Sequence, residues 1–184
     1  MKRRQFIKSF VLFSTILIGK PSRLFATINT VRLGQQAPDF ILKGFNKNNP
    51  NQKEWSLDDF SGEWLILYFY PKDFSSGSTL QAQSFQDNLS KFKKLNSSIV
   101  GISADNNEEH ESFCTSAKLG YTLLSDTTGE ISKSYDSWLD PYSKINTFMI
   151  NPKGIVVYMW IGVRPIGHAQ EVLKELIKQK KIYA

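Results

Sequence analysis

The sequence has almost no sulfur and almost no imidazole. One cysteine, Cys114, and two histidines, His110 and His168, stand among 184 residues. A single thiol excludes an internal disulfide framework and any multi-cysteine metal site. Two isolated histidines are too few to propose a metal centre, and no cofactor motif is visible. No apolar run reaches the ~20 residues that a membrane-spanning helix needs; Phe10 to Gly19 falls well short. Acidic residues are missing from positions 1–26, which carry Lys2, Arg3, Arg4, Lys8, Lys20 and Arg23. Removing these six from the 23 basic residues leaves 17, equal to the 17 acidic ones. The formal charge of +6 therefore belongs to the N-terminal segment, and the neutral remainder offers no basic surface for DNA, RNA or anionic lipid.

A basic start followed by a short apolar run is the pattern of an export signal. Arg3-Arg4-Gln5-Phe6-Ile7-Lys8 is similar to the twin-arginine motif, departing from it at Lys2, where Ser or Thr is usual. The expectation is a signal over 1–26, cut after Ala26 despite Leu24 at a position that favours a small residue. An ordinary secretory signal and an uncleaved anchor remain the alternatives. Export would place the protein in a periplasm or a thylakoid lumen, with no stable membrane span once the signal is removed.

The remaining length, 27–184, suits one domain with a sizeable core, and 41% hydrophobic content is ordinary for a globular chain. Trp64 to Tyr70 is a continuous apolar run between Gly62 and Pro71, fitting a strand buried on both faces. From Thr79 the period becomes helical, with Ala82, Phe85, Leu89 and Phe92 on one stripe. A strand over Ser97–Ser103, a helix over 107–119, a short strand over Tyr121–Asp126 and a helix near Ser132–Trp138 follow. Thr147–Ile150 and Ile155–Trp160 flank Asn151-Pro152-Lys153-Gly154 as a hairpin. A last helix starts near Gly167-His168, with Val172, Leu173, Leu176 and Ile177 expected inward. This alternation predicts a three-layer α/β domain.

Five separated stretches then carry a resemblance: Ala37-Pro38-Asp39-Phe40, Tyr68-Phe69-Tyr70-Pro71-Lys72-Asp73, Leu123-Leu124-Ser125-Asp126, Thr147-Phe148-Met149-Ile150, and Gly167 to Leu173. Together they resemble the peroxiredoxins (AhpC/TSA), nearest the Q type or bacterioferritin comigratory branch, over roughly residues 32 to 180. The resemblance implies a thioredoxin-like fold, a central mixed sheet flanked by helices with the peroxiredoxin elaboration. It also implies thiol-dependent peroxidase chemistry, in which a cysteine thiolate at a helix N-terminus attacks the O–O bond.

The residues that would carry that chemistry have changed. In the family pattern Ser75 stands where Thr orients the peroxide, Ser76 where a Pro shields the thiolate, and Ser78, between Gly77 and Thr79, where the attacking Cys belongs. Gln83 stands at the resolving-Cys position and Ile145 at the Arg position, with Lys144 beside it. A serine hydroxyl ionises far above neutral pH and cannot pass through the sulfenate cycle. The leading expectation is an exported peroxiredoxin-fold protein that has lost peroxidase activity and serves as a binding or scaffold module, with a small polar ligand or an unknown protein partner at the old active-site face; a further reading is a protein–protein interaction subunit whose contact on that face includes Phe74 and Ser75. The rival is an antioxidant thiol peroxidase working through Cys114, whose thiolate His110 and Lys118, four residues to either side on one helix, would favour; a buried inert thiol is the plainer reading. Ser78 or Thr79 is expected to cap its helix, His168 to cap the last one, and Trp64, Tyr68, Phe69, Tyr70, Phe85 and Phe92 to lie in the core.

Overall fold

A strand that is apolar at every position must be covered on both faces. The computed structural model describes residues 30–183, and in it that run forms β3 (Trp64–Phe69), buried throughout. Before it come β1 (Ile41–Phe45) and β2 (Glu54–Ser56). After it come α1 (Ser76–Lys94), β4 (Ser97–Ser103), α2 (Asn107–Ser116), β5 (Thr122–Ser125) and α3 (Glu130–Ser134). The chain finishes with β6 (Trp138–Leu139), β7 (Tyr142–Ser143), β8 (Asn146–Ile150), β9 (Val156–Trp160) and α4 (His168–Ile182). Seven strands make one sheet in the order β2-β1-β5-β4-β3-β8-β9, while β6 and β7 pair separately. β4 is parallel to β3 and β5, and the outer pairings are antiparallel, so the sheet is mixed.

The two-residue period of β3 divides the core. Trp64, Ile66 and Tyr68 face α1, α2 and α4, meeting Phe85, Phe92, Phe113, Val172 and Leu176. Leu65, Leu67 and Phe69 face the other way, against Phe40, Trp55, Tyr135 and Phe148. The aromatics expected inside are all buried. This is the thioredoxin-like, peroxiredoxin-type architecture.

Several boundaries differ from expectation for local reasons. The first long helix starts at Ser76 rather than Thr79, because Ser75 accepts the N–H of Ser78 and caps it; neither Ser78 nor Thr79 is the cap. The helix expected over 107–119 stops at Ser116, and Lys118 takes a left-handed backbone (φ 54°). The helix expected near Ser132–Trp138 runs over Glu130–Ser134, and Trp138 lies in β6. Ile177 is 44% exposed, on the outer side of α4, where 3.6-residue geometry carries it past Val172 and Leu176. The expected signal over 1–26 lies outside the described residues.

The β1–β5 pairing sets a tight test. A Cβ on Gly44 would overlap the main-chain oxygen of Leu123, which cannot swing aside as a side chain does. Gly44→Ala should lower unfolding free energy by about 2–3 kcal/mol, read as an earlier midpoint in urea with the slope unchanged.

Candidate functional site

α1 begins where β3 ends, so the loop from Pro71 to Ser75 delivers a helix N-terminus to the end of the sheet. Phe74 turns this loop with a left-handed backbone (φ 59°), and its ring is 56% exposed. The Ser75 and Ser78 hydroxyl oxygens share a hydrogen bond at 2.7 Å, and Ser75 Oγ lies 3.0 Å from the Lys72 carbonyl. Ser78 is only 2% exposed, whereas Ser75 and Ser76 are open to solvent. The Ser78 and Thr79 N–H groups are taken by Ser75, which leaves those of Ser76 and Gly77 without an intrahelical acceptor. The site is therefore a hydroxyl pair set among the positive ends of peptide dipoles.

The other side of the site comes from β8 and the connection to α4. Ile145 is half-buried just before β8, and its carbonyl accepts the N–H of Val163 at 2.8 Å. A Cβ on Gly77 would lie 3.9 Å from Pro165 Cγ. Arg164 lies in sequence between these two contacts; it is exposed, and sequence reasoning missed it because an arginine in a loop carries no signal by itself. Lys144 is turned elsewhere, its Nζ 3.7 Å from Asp136 Oδ1. Gln83 is exposed on α1, away from the buried stripe. His168 is no cap: its Nε2 meets Thr147 Oγ1 at 2.9 Å inside the core, and burial lowers its pKa despite Glu171 nearby. Gln81, one turn beyond Ser78 and 1% exposed, has no partner for either amide atom among the described residues.

Beneath the loop lies a polar cluster that the sequence did not reveal. Asp73 Oδ1 accepts from Tyr70 Oη at 2.8 Å, and Oδ2 lies 2.8 Å from His110 Nδ1. The Asp73 N–H donates to Asp105 Oδ2 at 2.8 Å, and Ser103 Oγ donates to the same oxygen at 2.6 Å. Asp73, Asp105 and His110 are all buried. The carboxylate can only accept, so His110 carries its proton on Nδ1; Nε2 has no partner among the described residues. Residues 37 positions apart leave no local pattern to read. The available signal was His110 on the same stripe as Phe113 and Cys114.

Burial, with a smaller contribution from that cluster, decides the state of the one thiol. Cys114 is fully buried. Burial pushes its pKa up to about 12, the Asp73 charge pushes the same way, and Lys47 opposes them weakly. The expected pair of flanking cations is absent, since His110 is held by Asp73 and Lys118 lies beyond the helix end. Cys114 is a buried thiol whose surroundings favour its protonated form.

A thioredoxin-like sheet with a loop and helix N-terminus at this place defines a peroxiredoxin-type domain. The chain belongs to the AhpC/TSA family, whose model matches residues 33–159. Peroxiredoxin Bcp of Bacillus subtilis is 33% identical over 155 residues, covering 80% of this chain and 96% of that protein. The chloroplastic peroxiredoxin Q of Arabidopsis thaliana is 36% identical over 157 residues, covering 83% and 69%. Among solved structures, the Xanthomonas campestris bacterioferritin comigratory protein superposes with a TM-score of 0.70 at 28% identity, covering 76% of this chain and 91% of that one. That structure is described in terms of alkyl peroxide reduction.

With a pKa of about 12, only about 1 in 10,000 Cys114 side chains is thiolate at pH 8. Alkylation of the native protein by iodoacetamide at pH 8 should be at least about a thousandfold slower than in 6 M guanidinium. Comparable rates in the two states, followed by mass spectrometry, would show that Cys114 is accessible and activated.

Proposed function

We propose that this chain is an exported peroxiredoxin-family protein that no longer runs the thiol peroxidase cycle and binds a small polar ligand at the N-terminus of α1. The observation that carries this reading is the pairing of the buried Ser78 with the exposed Ser75 at the helix start, while the only thiol, Cys114, sits buried with its pKa raised. Attack on an O–O bond needs a polarisable thiolate whose sulfur accepts oxygen and is later reduced; a hydroxyl provides neither. The free N–H groups of Ser76 and Gly77 suit a ligand that accepts hydrogen bonds. In this reading Ser75, Ser76, Ser78, Gln83 and Ile145 occupy the former catalytic positions. The exposed Phe74 beside them also suits contact with a protein partner.

The second reading, a working thiol peroxidase, has the comparisons on its side, since the relatives are named as peroxiredoxins. It requires Cys114 to do the chemistry. The two readings separate on peroxide consumption under excess dithiol, comparing the wild type with Cys114→Ser. Rates equal to the dithiol blank for both proteins are expected. Turnover in the wild type that disappears in Cys114→Ser would establish the peroxidase.

Export rests on the Arg3-Arg4 motif and the basic, acid-free first 26 residues. In a bacterium with a twin-arginine pathway, the chain should recover from the periplasm with its N-terminus near Thr27. Replacing both arginines by lysine should leave it in the cytoplasm, and unchanged periplasmic recovery would reject that route.

A further inference from the structure

α4 carries its charges in an order that does not suit a helix facing only water. Glu171, Lys174, Glu175 and Lys178 stand at i, i+3, i+4 and i+7, so they share one face. Opposite charges four residues apart support a solvated helix, but here Glu171 is four from Glu175 and Lys174 is four from Lys178. Each of these like-charge pairs opposes the helix. The three-residue spacing gives partial relief: Lys178 Nζ lies 3.5 Å from Glu175 Oε1, which also accepts from Gln179 at 2.6 Å. Glu171 Oε2 lies 3.5 Å from His168 Nδ1. The second oxygens of both carboxylates and the Lys174 ammonium have no side-chain partner among the described residues, and Glu171, Lys174 and Lys178 are open to solvent.

The same face flanks the edge of the sheet. β9 is the last strand, and its start is covered where Val156 bonds to Gly34 and Gln35. Farther along, Tyr158 and Trp160 stack with ring centroids 4.4 Å apart, both partly exposed. With the four charged residues of α4 they line a groove of about 350 Å³. Edge strands in water are commonly guarded by charge or proline, and residues 155–163 carry neither. A rim of both signs selects no small ligand, but it matches a copy of itself. About a two-fold axis crossing between Lys174 and Glu175, two antiparallel α4 helices place Glu171 opposite the partner's Lys178 and Lys174 opposite the partner's Glu175. Symmetry repeats both contacts, so each acidic ridge meets a basic one. The partly exposed Tyr158 and Trp160 add the aromatic surface that interfaces favour. We infer that this face is the contact of a symmetric dimer, in which a second copy of the chain packs α4 against α4 beside the aromatic pair. The inference stands apart from the reading given above for the N-terminus of α1.

Charge exchange, followed by analytical ultracentrifugation of the full chain, tests it. At about 100 µM the wild type should sediment with twice the mass of one chain. Making the face all basic (Glu171→Lys with Glu175→Lys) or all acidic (Lys174→Glu with Lys178→Glu) should raise the dimer dissociation constant at least about tenfold. Mixing these two variants one to one should restore a dimer that holds one copy of each. Exchanging all four charges together keeps the pattern and should leave dimerisation as in the wild type, which decides the matter if either two-residue variant fails to fold. A monomeric wild type, a monomeric fourfold exchange or basic and acidic variants that stay apart on mixing would each overturn the inference. So would a dimer that survives both two-residue changes, as association through the apolar Phe10–Gly19 run would.

Discussion

The carboxylate of Asp73 is the point on which the site depends. It takes hydrogen bonds from the end of β3 through Tyr70 and from α2 through His110, while its own N–H reaches β4 through Asp105. Side chains at or just beyond the ends of β3, β4 and α2 are thereby tied to one loop residue. A buried charge of this kind is costly unless every lone pair is used. Tyr70 Oη on one oxygen and His110 Nδ1 on the other meet most of that need, while Asp105 next door accepts from the Asp73 N–H and the Ser103 hydroxyl. The same charge burdens its neighbours: it helps raise the Tyr70 and Cys114 pKa values after burial has done most of the work.

Apart from the Ser75 hydroxyl, which pairs with that of Ser78, the bonds that anchor the loop do not involve the side chain of residue 78. Nothing in the Asp73 cluster touches Ser78, and the helix cap comes from Ser75. In the reading proposed above, a hydroxyl in place of a thiol at position 78 alters reactivity and leaves those bonds in place. The Ser75–Ser78 hydroxyl pair is uncharged, so in that reading the helix dipole acts on a ligand rather than on a protein nucleophile.

Much of the fold was legible in sequence because it rests on periodicity. β3 is apolar at every residue, β4 was placed at Ser97–Ser103, and α1 shows its stripe from Ala82 to Phe92. Errors fell where side chains override local pattern: the Ser75 cap, the left-handed Lys118 that ends α2, and the short β6–β7 ribbon. Of the site, the residues in and beside the Ser75–Thr79 segment could be found because they are contiguous. The Asp73–His110 pair, the Thr147–His168 contact and the orphaned Gln81 amide could not, since each depends on folding brought about by distant segments.

The left-handed Phe74 gains meaning from this anchoring. A residue held at φ 59° between a buried Asp73 and a helix cap cannot relax without breaking bonds that reach into β3, β4 and α2. The loop thus opens only as part of the cooperative unit of the core. Its exposed ring, packed edge-on 5.1 Å from Phe113, is a rigid knob already fixed before any encounter. A partner of the kind proposed above would meet a surface already ordered by folding, so association there would lose little freedom on the protein's side.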